Sequence, residues 1–240
     1  MSVDSAHPAG RHPGWPASLG PVGVRAGTVE LRPLQRSDGD RWQRIRLSNE
    51  DAISPWDATS ALTWSQRHTP AQWRTHRSLL VTAARRGEVL PFAITLGGRF
   101  VGQVTIGGIQ RGALRSGWVG YWVDRAVGGG GVATAAVALA VGHALGPAGL
   151  HRIEATIAPE NIASQKVVAH VGFRQEGYLQ RYLDISGAWR DHLLFAVTKE
   201  ELPGGTADLL ARWRTRDAPP HPVPLGHRHR ADPRRPPSVG

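Results

Sequence analysis

Residues 124–140 read DRAVGGGGVATAAVALA, four consecutive glycines set directly against small apolar residues with no proline among them. Glycine is entropically costly to order, so four together require the backbone itself to approach something closely. From Val132 to Leu145 the chain is apolar nearly all round, which predicts a helix buried on most faces and stopped by GPAG at 146–149. Just upstream, WVGYWVD (118–124) reads as a short strand. A strand, a glycine turn and a helix start together make an anion site, because the first helical amides have no partner inside the helix and the helix dipole is positive there.

The elements around this stretch set its context. VELRPL (29–34) is strand-like, and Ser37 and Asp38 are good N-caps for a short helical segment around Trp42 to Leu47. Thr69-Pro70-Ala71-Gln72 offers a capping-box pair with Pro at the first helical position, and Trp73, Leu80, Val81 and Ala84 recur at helical spacing, predicting a helix to about Arg86. LPFAITL (90–96) and RFVGQVTIGGI (99–109) are strands joined by Gly97-Gly98, a two-residue hairpin signal. HRIEATIAPEN (151–161) is a strand running into a turn, and NIASQKVVAHVGF (161–173) a short amphipathic helix ended by Gly172. Residues 173–198 form a long hairpin turning at Ser186-Gly187. The order gives a mixed α/β sheet without internal repeats, with a parallel pair where the buried helix crosses from Trp122 to Ile153.

Composition narrows the function. Pro, Gly and Arg concentrate at both ends, so residues 1–26 and 203–240 are expected to be largely disordered tails around one domain, 27–202. The formal charge is +10, but from Ala211 onward seven Arg face two Asp, so much of the excess lies in or beside the second tail. Nucleic-acid attraction is therefore expected to be weak or indirect. The absence of cysteine excludes a cysteine nucleophile, a disulfide framework and a thiolate metal site. Neither a membrane span nor a secretory signal is legible, so a cytoplasmic protein is expected.

Three readings of the glycines compete. A P-loop is excluded because no Gly-Lys-Ser/Thr closes the turn. A dinucleotide fold expects its glycine turn after the first strand, whereas these glycines follow a meander, although Glu154 lies at roughly the distance of that fold's acidic residue. Close packing of loop on helix is the bland alternative. PENIASQKVVAHVGFRQEG (159–177) adds a second motif some 30 residues on. It resembles the second signature of the GNAT acetyltransferases, in which Asn, a small residue, Ser and a closing Gly-Phe lie beside coenzyme A, while the glycine run resembles their first signature. GYWV, LHRIEA and GAWRDH are similar to the RimJ/RimL branch, the ribosomal-protein N-terminal acetyltransferases.

The resemblance covers roughly residues 28 to 200. It implies the GNAT acyl-CoA N-acyltransferase fold, an α/β architecture with a central mixed, mostly antiparallel sheet flanked by helices. Its first signature fits two registers, one led by Arg125 and one ending Gly128 to Gly131 before Val132-Ala133-Thr134; the second is preferred because the helix start fixes where the phosphate oxygens sit. In that register the amides of about Gly129, Gly130, Gly131, Val132, Ala133 and Thr134 cradle the pyrophosphate of acetyl-CoA, and a side chain at Gly129 or Gly131 intrudes there. The resemblance further places the main chain of Tyr121, Trp122 and Val123 along the pantetheine arm, and has Asn161 hydrogen-bond that arm with Ser164 one turn on.

Acetyl-CoA is already an activated thioester, so transfer to an amine needs only positioning, removal of an ammonium proton and help for the leaving thiolate. No metal is required. Many relatives carry a Tyr acid seven residues after the Asn; here Val168 stands in that place, which favours Ser164 or a water as proton donor, with helix capping the alternative role for Ser164. The candidate bases are Glu154, for which an ion pair with Arg152 is an equal alternative, and Asp184, near the acidic position of the RimL-like branch. Arg181 and Tyr182 are candidates for lining the acceptor channel. Trp56 and Trp64 flank the loop where such proteins usually bind the acceptor, and His170 and His192 show no metal-ligand grouping. The expected acceptor is a protein or peptide N-terminus, such as that of a ribosomal protein, and the expected assembly a monomer or homodimer. A small amine or antibiotic as acceptor, or a CoA-binding module without turnover, stay open.

Overall fold

The structure is a computed structural model and describes residues 13–215. Among the described residues eight strands form one sheet: β1 (Leu19–Val24), β2 (Gly27–Pro33), β3 (Leu90–Leu96), β4 (Arg99–Gln110), β5 (Ser116–Val123), β6 (Arg152–Ile157), β7 (Arg174–Ile185) and β8 (Ala188–Thr198). Their spatial order is β1-β2-β3-β4-β5-β6-β8-β7, and every neighbouring pair is antiparallel except β5 with β6. Helices α1 (Gly39–Ser48) and α4 (Pro70–Arg85) pack on one face, with α2 (Glu50–Ile53) and α3 (Trp64–Arg67) between them in sequence. On the other face lie α5 (Val132–Leu145), α6 (Ile162–Val171) and α7 (Thr206–Thr215).

Helix α5 has the span its composition predicts, and every residue in it except Ala133 is buried. Alternation along the strands sends Val29, Leu31, Phe92, Ile94, Val104 and Ile106 against it. Burial of each such side chain stabilises the fold by about 1.5–3 kcal/mol. On the opposite face Trp42, Ile45, Trp73 and Phe100 close a smaller core under α1 and α4. Thr69 caps α4 by accepting from the Gln72 amide at 3.2 Å; the reciprocal capping box forms instead at Thr63 and Gln66, which open α3.

The expected domain limits of 27 and 202 are too narrow at both ends. Residues 19–24, assigned from composition to a tail, are the edge strand β1, and Trp15 is buried with its ring 5.6 Å from Phe92. Proline and glycine are tolerated on an edge strand because one of its sides needs no ladder partner, so a tail-like composition hid a strand. After Leu202 the chain forms α7, whose Leu209 is fully buried. Gly142 lets α7 approach: a Cβ there would collide with Thr206 Oγ1 and lie 2.8 Å from its Cα. The remainder of each expected tail, 1–12 and 216–240, lies outside the described residues.

Candidate active site

The parallel pair is short. β5 and β6 align at Ser116 with Arg152, Gly117 with Ile153 and Trp118 with Glu154, and then part. β5 continues beside β4 as far as Val123, and β6 beside β8 as far as Ile157. The edge of β5 from Val119 to Val123 therefore has no strand partner on its β6 side, and it opens on a cleft of about 1940 Å³.

The glycines stand at the cleft's α5 end. Gly129 and Gly131 have φ of 68° and 88°, the left-handed region that favours glycine, and Gly131 is the N-cap of α5. The first helical bond runs from the Ala135 amide to the Gly131 carbonyl at 3.0 Å, and the amides of Gly129 to Thr134 find no acceptor among the described residues. Two elements clamp the loop from outside. Arg25 donates to the Gly129 carbonyl at 2.7 Å and the Ala26 amide to that of Gly130 at 3.2 Å, both from the turn between β1 and β2. A Cβ on Gly130 would lie 2.5 Å from that of Ala26. Buried Asn49, at the end of α1, accepts from the Arg125 amide at 2.9 Å and donates to Asp124 at 3.3 Å. None of these supports was legible beforehand, since two lay in a supposed tail and the third is a lone polar residue in a helical segment.

Successive residues of β5 serve opposite faces. Tyr121 points toward α6 and donates its hydroxyl proton to the Ser164 carbonyl at 3.2 Å; burial pushes the phenol up to about 12. Asn161 is the N-cap of α6, its Oδ1 accepting from the Ser164 amide at 3.1 Å, and the Ser164 hydroxyl has no partner among the described residues. Val168 is fully buried. Trp122 points the other way, toward α1. There the Arg46 guanidinium lies 4.6 Å from the ring centre of Trp64 and 5.3 Å from that of Trp122. It donates to His68 Nε2 at 2.9 Å and to Asp57 at 2.5 Å, and Arg67 shares the same Asp57 oxygen at 2.8 Å. His192 on β8 also lines the cleft. Its Nδ1 faces the Arg190 carbonyl at 3.2 Å, which can only accept, so Nδ1 carries a hydrogen and in the neutral ring Nε2 is the nitrogen with the lone pair.

An open cleft beside a parted parallel pair, with bare helix-start amides at one end, is where the family comparison bears. The Acetyltransferase (GNAT) domain family matches residues 28–174. This chain belongs to the GNAT family. It is 30% identical over 176 residues to the probable N-acetyltransferase YjcK of Bacillus subtilis, covering 72% of this chain and 96% of that protein. To the [ribosomal protein uS5]-alanine N-acetyltransferase of Escherichia coli it is 24% identical over 195 residues, 80% of this chain and 98% of the relative. The solved Mycobacterium smegmatis RimJ in complex with CoA-disulfide superposes with a TM-score of 0.82 at 51% identity, covering 84% of this chain and 96% of that one. The chain has the GNAT fold and is an acetyl-CoA-dependent N-acyltransferase of the RimJ/RimL kind.

Within this GNAT framework the expected cofactor residues come together: Tyr121 to Val123, the glycine loop, Val132 to Thr134, Asn161 and Ser164 all border the cleft. The expected bases do not. Glu154 is held by Arg152 at 2.8 Å in a ladder that continues through Glu176, Arg174 and Glu201, and it does not line the cleft. Its strand position is right, but a neighbouring guanidinium answers its charge. Asp184 accepts from the Thr59 hydroxyl at 2.7 Å and ties the β7–β8 tip to the α2–α3 segment, while Leu183 and Ile185, one residue to either side, line the cleft. Arg181 and Tyr182, expected to line the acceptor channel, do not line this cleft. Arg181 sits in an irregular stretch of β7 with φ of 48°, and Tyr182 meets His192 at a tilted angle of 59° with ring centres 5.6 Å apart, outside the lining. Arg46, Asp57, His68 and His192 were missed because their joint meaning depends on three-dimensional proximity across three separate segments.

Proposed function

We propose that this enzyme acetylates the α-amino group at a protein N-terminus, with a ribosomal protein as the substrate class and the cytoplasm as its place of action. The observation that carries the reading is the unpartnered edge of β5 lying between two faces of different character. One is lined by the bare amides and by Asn161 and Ser164; the other is aromatic and cationic. The named activity of the uS5-alanine relative and the 51% identity to RimJ support it.

Bound acetyl-CoA supplies an activated acyl group. The amides of Gly129 to Thr134 hold its pyrophosphate at the positive end of α5. Along the open β5 edge the main-chain N–H groups of Tyr121 and Val123, which alternation turns away from β4, polarise the thioester carbonyl. Asn161, its Oδ1 committed to capping, keeps its amide N–H groups for the arm. The Ser164 hydroxyl is the proton donor for the leaving thiolate. On the acceptor side His192 Nε2 receives the ammonium proton, directly or through one water. An N-terminal amine titrates near pH 8 and a lysine amine above 10, so the former makes the lesser demand on an imidazole base.

Calorimetry with acetyl-CoA and with CoA, followed by thiol release over a panel of peptides, polyamines and aminoglycosides, tests the proposal. Binding with release from N-terminal peptides is expected. Release only from the small amines would replace the acceptor assignment, and binding without release from any amine would make the chain a CoA-binding module.

A further inference from the structure

Arg46 is nearly sealed in protein, its side chain 7% exposed, yet its donors are only partly used. A guanidinium carries five N–H groups in a fixed fork. Nε is committed to His68 and Nη2 to Asp57, while Nη1 has no partner among the described residues. No buried side-chain nitrogen or oxygen among those residues lacks a partner, so Nη1 opens on the cleft that Arg46 lines. The two tryptophan rings fix the plane of the fork, and the bonds from Nε and Nη2 fix its direction.

The local charge does not balance. Arg46 and Arg67 share the one carboxylate of Asp57. His68 supplies no anion: its Nδ1 lies 2.6 Å from the Trp64 carbonyl and so carries the hydrogen, leaving a neutral ring whose Nε2 accepts from Arg46. A buried cation without its full complement of acceptors is costly, and a planar fork pairs best with a carboxylate. Arg46 lies on the Trp122 face of β5, opposite the face where Tyr121 meets Ser164, so the missing group belongs to the acceptor rather than to coenzyme A.

We propose that Arg46 is a specificity residue that binds a carboxylate of the acceptor, either an acidic side chain at the second position of a protein N-terminus or the terminal carboxylate of a short free peptide. The inference rests on the amine-acetylating reading above. Thiol release by the full chain is measured with two substrate pairs of closely matched amine basicity. One pair is a peptide beginning Ala-Glu against the same peptide beginning Ala-Gln; the other is the dipeptide Ala-Gly against its C-terminal amide. A preference of about tenfold or more in kcat/KM for the carboxylate member is expected in one pair, and that pair identifies the source. Arg46→Gln is expected to bring the preference within about twofold while the affinity for CoA, by calorimetry, stays the same. Equal rates for both members of both pairs in the unaltered enzyme would overturn the proposal without touching the transferase reading, and need no variant. A preference that survives in a folded Arg46→Gln protein would overturn it as well, and so would a parallel loss of CoA affinity, which would place the cofactor's own phosphates on Arg46.

Discussion

His68 illustrates how a residue with no legible role in sequence acquires one through its neighbours. Burial and the Arg46 charge lower its pKa from an ordinary 6.5 to about 4. The unfolded chain therefore takes up this proton first as the pH falls. Stability contributed by neutral His68 is complete above 6.5, is lost between 6.5 and 4, and changes no further below 4, with a limiting slope of about 1.4 kcal/mol per pH unit. Denaturant midpoints at pH 7, 5.5 and 4 should fall more steeply for the unaltered enzyme than for His68→Gln, and parallel curves would contradict the buried neutral ring. His192 leads to a kinetic prediction. His192→Ala should lower kcat by about 10²–10⁴, the usual worth of a general base, with unchanged CoA affinity, and added imidazole should restore part of the rate. An unaffected kcat would leave water alone as the proton acceptor. At this scale the residues that border the glycine end of the cleft were legible and those on its Trp122 face were not. The glycine loop, Asn161 and Ser164 stand in contiguous motifs; the Arg152 pair that holds Glu154 was one of two readings that strand alternation allowed, whereas the Thr59 contact that holds Asp184 joins segments 125 residues apart, which no spacing encodes.

Among the elements, β3 to β6, α4 to α6 and the β7–β8 hairpin follow from periodicity and turn chemistry, because each is long or bounded by Gly or Pro. β1 escaped that logic, and it bears on the site: its turn into β2 grips the glycine loop through Arg25 and Ala26. A chain starting at Gly27, the domain start that composition suggests, should bind CoA more weakly than one that starts at Met1, and calorimetry on both checks it. Equal affinity would make the clamp incidental. Gly131→Glu probes the loop from within. At φ of 88° any side chain is strained by roughly 1–2 kcal/mol, and a carboxylate there also repels the pyrophosphate. Gly131→Ala should lower stability by the strain alone and retain measurable CoA binding, whereas Gly131→Glu should abolish it. If the glutamate variant bound normally, the phosphates would not lie on this helix start.

For the whole molecule, the question is which parts of the chain the transferase needs. α5 is the hub, touching β1 through β6 on one side and α6 and α7 on the other. Its apolar composition all round already implied a second layer outside it, yet α7 lies in the segment that Pro and Gly at 203–205 marked as tail, and a helix of ten residues with Leu209 as its buried anchor gives little periodic signal. Two effects oppose each other at Gly142. Alanine in mid-helix gains about 1 kcal/mol over glycine from propensity, but the Cβ would meet Thr206 main chain and side chain together, and overpacking of that kind costs about 1–3 kcal/mol. Gly142→Ala should thus be net destabilising and should loosen α7, read as faster amide exchange in Thr206–Leu210 without loss there being matched in β3. Ending the chain at Leu202 removes α7 and exposes the part of α5 that it covers, on the helix whose first turn is proposed to hold the phosphates; Tm and CoA affinity should fall together. Ending it at Ala218 keeps α7, and kcat should match that of the full chain. A large fall in kcat for the longer truncate would assign the residues after 218 a part in catalysis, and an undiminished Tm for the shorter one would show that α5 needs no cover on that side.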